Sequence, residues 1–244
     1  MVNKPVTIGI LDCDVIADEL IDDYVSYPLM FQQLFDRLEA CDVAVQYQTF
    51  NVCGGSLPSA MDACNAYLIT GSKTGVYDDE PWLPALRTFL QNAYGAGIPL
   101  VGICFGHQML ANSLGGKAEK SDKGWGIGAM THSQKNTFID IEQMPADLTL
   151  LFSHQDQVTA LPRHAQVLYG SAFCNVGAYR IGKQVLSFQG HPEFTHEYSR
   201  RLMTLRQARY PKNIFEEGLM TLDQATDELW VAQLMRQFLL GLLP

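Results

Sequence analysis

The sequence GICFGHQ, at residues 102–108, decides which fold the rest of the chain is expected to adopt. It follows the apolar run of residues 98–101 and precedes a segment with helical character. A buried strand that ends in Gly-x-Cys-x-Gly and turns at once into a helix is the pattern of a nucleophile elbow, usually written with serine. Since a cysteine at a helix N-terminus is activated by the helix dipole, we predict that Cys104 is a nucleophile.

The segments around this elbow predict an α/β fold. In the first half of the chain, apolar runs alternate with helical stripes. Strands are predicted there at residues 6–11, 43–47, 66–69 and 100–103, and helices at residues 28–40, 81–94 and 105–114. Shorter strand candidates follow at residues 125–131, 137–141, 166–170, 176–181 and 184–188. This order favours a mostly parallel central sheet with antiparallel strands on its flank.

The C-terminal part is predicted to be helical from residue 197 onward. Residues 221–224 read Thr-Leu-Asp-Gln, which is a capping box and predicts the start of a final helix. Four apolar side chains of that helix are expected to dock on the domain: Leu229, Leu234, Phe238 and Leu242. We therefore expect one domain over residues 1–195 and a helical extension, residues 196–244, packed on it.

Composition excludes several classes of function. The 244 residues carry a net charge of -9, and a nucleic-acid partner is not expected because phosphate binders carry a basic patch. No apolar run approaches the roughly 18 residues of a membrane span, so no membrane partner is expected. The six cysteines show no CxxC spacing, which is typical of reduced thiols in a cytoplasmic protein. No metal or other cofactor is expected, because no second Cys/His cluster accompanies Cys104 and His107.

A base for the cysteine is predicted after the last of these strands. His191 and Glu193 are two residues apart, and Pro192 between them disfavours a helix. In an extended segment their side chains point to the same side, so Glu193 can orient His191.

An oxyanion hole is predicted from two backbone N–H groups. Phe105 directly follows the nucleophile, which is the usual position of the first donor. The segment of residues 70–72, Thr-Gly-Ser, ends the strand of residues 66–69, and Gly71 can bring its N–H close.

Together, residues 70–72, 102–108 and 190–193 resemble the class I, or triad, glutamine amidotransferases in chain order and spacing. The resemblance covers about residues 6–195. Ser-His-Gln-Asp at residues 153–156 suggests the free-standing, GMP-synthase-like group. The resemblance implies a flavodoxin-like three-layer sandwich.

The resemblance also implies roles. Cys104 would form a γ-glutamyl thioester, His191 would act as base and then acid, and Glu193 would orient it. Gly71 and Phe105 would supply the oxyanion N–H groups. The residues implied in holding the amino-acid end of the substrate are Ser72, Gln108, Trp125 and Gly126.

Three functions stay open at this point. The first is a glutaminase that supplies ammonia to a synthetase or acceptor subunit on another polypeptide. The second is a γ-glutamyl peptidase or hydrolase, and the third is a gated amidotransferase subunit that is silent without its synthetase. A relation to intracellular cysteine proteases of the same topology is disfavoured, because those place histidine directly after the cysteine and Phe105 is there instead.

His132, His164 and His196 are expected at the surface. His154 and Asp156 are expected in a loop, where they either hold a turn or, as the resemblance implies, support the site or a partner contact. The acidic run over residues 12–23 is expected to be a solvated face or a mobile loop, because it lacks the glycine and terminal glutamate of a calcium loop.

Overall fold

The computed structural model describes residues 5–138, 141 and 143–243. The α-helices are α1 (Ile21–Tyr24), α2 (Tyr27–Asp36), α3 (Leu83–Gly95), α4 (Phe105–Ser113), α5 (His196–Leu205), α6 (Lys212–Thr221) and α7 (Glu228–Leu239). The strands are β1 (Val6–Asp12), β2 (Val45–Asn51), β3 (Ala66–Ile69), β4 (Leu100–Ile103), β5 (Lys117–Lys120), β6 (Gly126–Gln134), β7 (Asp147–His154), β8 (Asp156–Ala160), β9 (Gln166–Gly170), β10 (Ala178–Ile181) and β11 (Val185–Phe188).

The main sheet has the order β2-β1-β3-β4-β11-β10-β9-β6-β7. The pairs from β2 to β11 are parallel, and those from β11 to β7 are antiparallel. Strands β5 and β8 form a separate antiparallel pair. The predicted α/β fold, with a mostly parallel centre and antiparallel flanking strands, is confirmed.

The central strands bury both faces because alternate side chains point to opposite layers. In β3, Ala66 and Leu68 join a core that includes α2 and α7, whereas Tyr67 and Ile69 join a core that includes α3 and α4. This arrangement gives three layers: helices, sheet and helices. It also brings the carboxyl ends of β3, β4 and β11 together at one edge of the sheet.

The helices after residue 195 pack on the same body. The side chain of Thr195 accepts a hydrogen bond from the Tyr198 N–H and caps α5. Helices α5 and α6 cover β6 around a third core, and α7 packs beside α2 on one face of the main sheet. The part of the chain that the structure describes has no helix long and apolar enough to cross a bilayer.

The predicted capping box at residues 221–224 is wrong. Thr221 is the last residue of α6, and α7 begins only at Glu228. The Thr221 hydroxyl instead accepts a hydrogen bond from the Ala129 N–H at 2.8 Å and donates one to the Gly218 carbonyl at 2.7 Å. A tertiary contact with β6 therefore takes the hydroxyl that the pattern assigned to a helix start.

The predicted docking of the last helix is partly wrong. Leu234 and Phe238 are buried as predicted, but Leu229 and Leu242 are 40% and 51% exposed. Leu229 lies in the first turn of α7, and Leu242 lies beyond its C-terminus.

Other element bounds also differ from the prediction. Helix α2 ends at Asp36, since the Arg37 N–H donates to the Leu34 carbonyl and tightens the last turn. Strand β2 runs from residue 45 to 51. Strands β5, β7 and β8 were not predicted, because long-range pairing defines them. The candidate at 137–141 falls partly on residues 139–140, which lie outside the described residues, and residues 137, 138 and 141 are not in a strand.

Candidate active site

Cys104 occupies a strained turn between β4 and α4. Its φ of 52° and ψ of -100° lie in a region that residues with side chains rarely adopt. A Cβ on Gly102 would lie 2.5 Å from the Gly106 carbonyl oxygen, and a Cβ on Gly106 would lie 2.4 Å from the Ile69 carbonyl oxygen. Because both neighbours are backbone atoms that cannot swing away, only glycine fits at these two positions. The strand, the sharp turn at Cys104 and the helix therefore lie where the sequence predicts them.

His191 and Glu193 lie together beside this turn. His191 Nδ1 is 2.7 Å from Glu193 Oε1, and both residues are 4% exposed. The His191 N–H donates to the Leu151 carbonyl at 2.8 Å, and its ring stacks on Phe194 with the centroids 3.9 Å apart. These contacts fix the ring orientation, so that Nε2 is the nitrogen left to face Cys104.

The electrostatics of His191 reflect this setting. Burial by itself lowers the pKa of His191, but the Glu193 carboxylate and the hydrogen-bonded Cys104 thiol outweigh burial and raise that pKa. The arrangement therefore favours a protonated imidazole next to the sulfur and the carboxylate.

Gly71 lies against both residues. A Cβ added to Gly71 would lie 2.9 Å from His191 Cε1 and 3.7 Å from Cys104 Cβ. In the part of the chain that the structure describes, the backbone N–H groups of Gly71 and Phe105 donate to no other group. Two unpaired donors at the sulfur fit the requirement for an oxyanion hole.

An open cleft of about 260 Å³ extends from Cys104. The predicted substrate-binding residues that line it are Ser72, Gln108 and Trp125. Gly126 is buried in the β6–β7 pair and is not among the lining residues, since the space where a Cβ would lie is taken by Phe173 and His154.

Gln108 is held in place by its own amide nitrogen. Its Nε2 donates to the Asp156 carbonyl at 2.8 Å and to Gln189 Oε1 at 3.1 Å. Both amide protons are therefore used within the protein, and the amide oxygen is left to accept a bond from a ligand.

A second, much smaller crevice of about 20 Å³ also lies against Cys104. Its walls include Tyr27, Gly71, His191 and Phe194. Cys104 borders both spaces, so a bound amide can have its two sides in different cavities.

Sequence reasoning missed several residues of this site. Asp14, in the acidic run expected to be solvated, is 6% exposed and lies in the small crevice. It accepts bonds from the backbone N–H groups of Val15 and Lys73 at 2.8 Å, and it pairs with the Lys73 ammonium at 3.1 Å. Its place just beyond the carboxyl end of β1, in a parallel sheet, is the signal that could have found it.

Arg206 and Arg209, which follow α5, line the cleft and were not predicted. No local pattern distinguishes them from the other arginines of that segment. The prediction that His154 and Asp156 lie in a loop is wrong, because β7 ends at His154 and β8 begins at Asp156. His132, expected at the surface, is only 2% exposed in β6, whereas His164 is exposed as predicted.

No metal centre is found among residues 5–138, 141 and 143–243, where no group of three or more His, Cys, Asp or Glu side chains is placed to hold an ion. All six cysteines are free thiols.

Comparison with known proteins agrees with this geometry. The sequence profile of the class I glutamine amidotransferases matches residues 21–207, so the chain belongs to this family. The chain is 34% identical over 161 residues to γ-glutamyl peptidase 3 of Arabidopsis thaliana, which covers 62% of this chain and 64% of that protein, just under two thirds of its length. It is 32% identical over 142 residues to a glutamine-hydrolysing GMP synthase of Porphyromonas gingivalis, covering 57% of this chain and 27% of the synthase.

The fold is similar to that of a solved glutamine amidotransferase of Thermotoga maritima. The TM-score is 0.73 at 19% sequence identity, and the match covers 99% of each chain.

Proposed function

We propose that this chain hydrolyses the γ-amide bond of γ-glutamyl compounds through a thioester on Cys104. The observation that carries the proposal is the strained turn that holds Cys104 beside the buried His191–Glu193 pair. A weak nucleophile, a base and a residue that orients the base are the parts required for covalent acyl transfer.

The reaction begins from the ion pair in which the Cys104 Sγ proton has already moved to His191 Nε2. The sulfur then attacks the γ-carbonyl carbon, a C–S bond forms, and the carbonyl oxygen becomes an oxyanion. When the intermediate collapses, the C–N bond breaks and the leaving nitrogen takes the proton from His191. Water then attacks the thioester carbonyl while His191 takes its proton. The C–S bond breaks, glutamate leaves, and His191 returns the proton to the sulfur.

The unpaired N–H groups of Gly71 and Phe105 support a role as oxyanion donors. Each such donor typically contributes about 3 kcal/mol of transition-state stabilisation. The amino-acid end of the substrate would lie in the cleft of about 260 Å³. The residues proposed to hold it are Ser72, Gln108, Trp125 and the backbone near Gly126.

Two leaving groups fit this reaction: ammonia from glutamine, and an amine from a γ-glutamyl peptide. The GMP synthase relative favours the first, and the γ-glutamyl peptidase relative favours the second. With glutamine, the chain would supply ammonia to a synthetase subunit, either as an active glutaminase or as a subunit that is silent until that partner binds.

The domain organisation and location are also proposals. Residues 1–195 would form the amidotransferase domain, and residues 196–244 a helical extension that contributes to the site. Six free cysteines support a reducing compartment such as the cytoplasm.

The test is release of ammonia and glutamate from glutamine, measured beside glutamate release from γ-glutamyl peptides. Cys104→Ala and Cys104→Ser are the matched variants, and Cys53→Ala, at a half-buried cysteine outside the two cavities, is the control. We expect both Cys104 variants to lose turnover and the control to keep it. Activity that survives in Cys104→Ala would rule out the thioester mechanism.

A further inference from the structure

Arg206 has an unusual position at the end of α5. It is half-buried and borders both the open cleft and the small crevice that lie against Cys104. Four other residues border both spaces: Ser72, Lys73, Cys104 and Ser153.

The guanidinium of Arg206 is not neutralised by the protein. Its side-chain partners are the Ser153 hydroxyl, at a long 3.5 Å, and Tyr210, and neither is a carboxylate. The other cations of the crevice have carboxylate partners: Lys73 pairs with Asp14, and His191 pairs with Glu193. Among the described residues lining the crevice, Arg206 is therefore the one cation with no carboxylate within ion-pair distance.

The position of His191 indicates which part of a bound substrate would contact Arg206. Because His191 protonates the leaving nitrogen in the proposed mechanism, the leaving group must lie on the His191 side of the sulfur. The γ-glutamyl part then occupies the cleft, toward Gln108 and Trp125. The crevice, of about 20 Å³, holds little more than the leaving nitrogen and the atoms bonded to it, so a larger leaving group must run out past its rim.

We propose that Arg206 binds a carboxylate on the leaving group, which makes γ-glutamyl amino acids and peptides with a free carboxylate near the scissile amide the preferred substrates. The inference rests on the proposed function, and it gives the C-terminal extension a specificity-determining residue. An arginine fork matches a carboxylate with two parallel hydrogen bonds, and such a pair is strongest where no other charge competes.

The experiment compares three substrates that share the same γ-glutamyl part: γ-glutamylalanine, γ-glutamylalanine amide and glutamine. We expect kcat/KM of the wild type to be about 10- to 100-fold higher for the free acid than for the amide, the range for a hydrogen bond to a charged group. In Arg206→Gln this preference should fall to about 3-fold or less, mainly through a higher KM for the free acid. Arg206→Lys should keep part of the preference.

The matched control is Arg200→Gln on the same helix, whose guanidinium faces Asp223 at the surface. It should leave the preference for the free acid unchanged. If Arg206→Gln lowers the turnover of all three substrates equally, or if the wild type does not distinguish the acid from the amide, the inference is overturned.

A binding measurement separates failure of this inference from failure of the hydrolysis. Calorimetric titration of Cys104→Ala with γ-glutamylalanine and with its amide measures the affinity for each ligand in a protein that lacks the proposed nucleophile. Tighter binding of the acid, lost in the Cys104→Ala/Arg206→Gln double variant, supports the role of Arg206 even if the wild type hydrolyses nothing. Equal binding of acid and amide contradicts it.

Discussion

His191 Nδ1 lies 2.7 Å from Glu193 Oε1, and the Glu193 side chain has no exposed surface. The two residues are separated by a single proline, so their contact is local in sequence. Residues from distant parts of the chain nevertheless bury it. Oε2 of Glu193 has no hydrogen-bond partner among the described residues. His191 therefore provides the hydrogen bond that offsets the burial of this negative charge, and the carboxylate in turn orients the His191 ring.

Glu193→Gln should lower turnover by about 10²- to 10⁴-fold, because His191 then lacks the carboxylate that orients it and stabilises its protonated form as a general base. The pKa of His191 should also fall in this variant, because burial then acts without the opposing carboxylate. Rate measurements give the first effect, and NMR titration of His191 gives the second. Glu197→Gln, at the exposed start of α5, is the control and should leave both unchanged. An unaltered His191 pKa in Glu193→Gln would contradict the assigned electrostatics.

Gly71→Ala should reduce kcat by about 10²-fold, the effect of losing one oxyanion donor. The new methyl group would lie 2.9 Å from His191 Cε1 and would push the ring or the Gly71 backbone out of place. Gly95→Ala is the matched control, since it ends α3 with no atom within 4 Å of an added Cβ. Steady-state kinetics of both variants tests this prediction. Equal kcat values would show that Gly71 takes no part in catalysis.

Three buried histidines should each contribute less to stability as the pH drops from 7.5 to 5. Burial lowers the pKa of His107 to about 3, and it lowers the pKa values of His132 and His154 to about 4. Because histidines in the unfolded chain titrate near 6.5, the unfolded state binds more protons between these values. The stabilisation is therefore complete above pH 6.5 and is lost as the pH falls, by about 1 to 2 kcal/mol per histidine at pH 5.

Urea unfolding at the two pH values measures this loss. His132→Asn should reduce the difference between them, whereas His164→Asn, at an exposed histidine, should leave it unchanged. The comparison is made between variants because the raised pKa values of Asp12 and His191 act in the opposite direction over the same pH range. If His132→Asn shows the same difference between pH 7.5 and pH 5 as the wild type, His132 is not buried in the neutral form.

Thr221→Val should destabilise the protein by about 1 to 3 kcal/mol, because the Ala129 N–H loses its acceptor. Thr204→Val is the matched control: its hydroxyl bonds only to the Arg200 carbonyl on the exposed side of α5, and the change should stay within about 0.5 kcal/mol. Denaturant midpoints compare the two. If both variants are equally stable, the hydrogen bond between Thr221 and the Ala129 N–H contributes nothing to stability.

The fold of the first half and the core of the site were predictable because their signals are local. A strand, a Gly-x-Cys-x-Gly turn and a helix occur within about fifteen residues around Cys104, and the strained backbone there needs the two glycines beside it. His191 and Glu193 were predictable for the same reason, since residues two apart in an extended segment face the same side.

Tertiary structure decided the rest, because the groups concerned meet only after the chain has folded. Asp14 and Lys73 are 59 residues apart, and Arg206 reaches Ser153 across 53 residues. Thr221, by contrast, carried a clear local signal that a bond to β6 overrode. The sequence by itself determined the turn at Cys104 and the contact between His191 and Glu193. Only long-range packing determined which charged side chains surround these residues, because no local sequence pattern indicates that a distant charged residue will fold back against them.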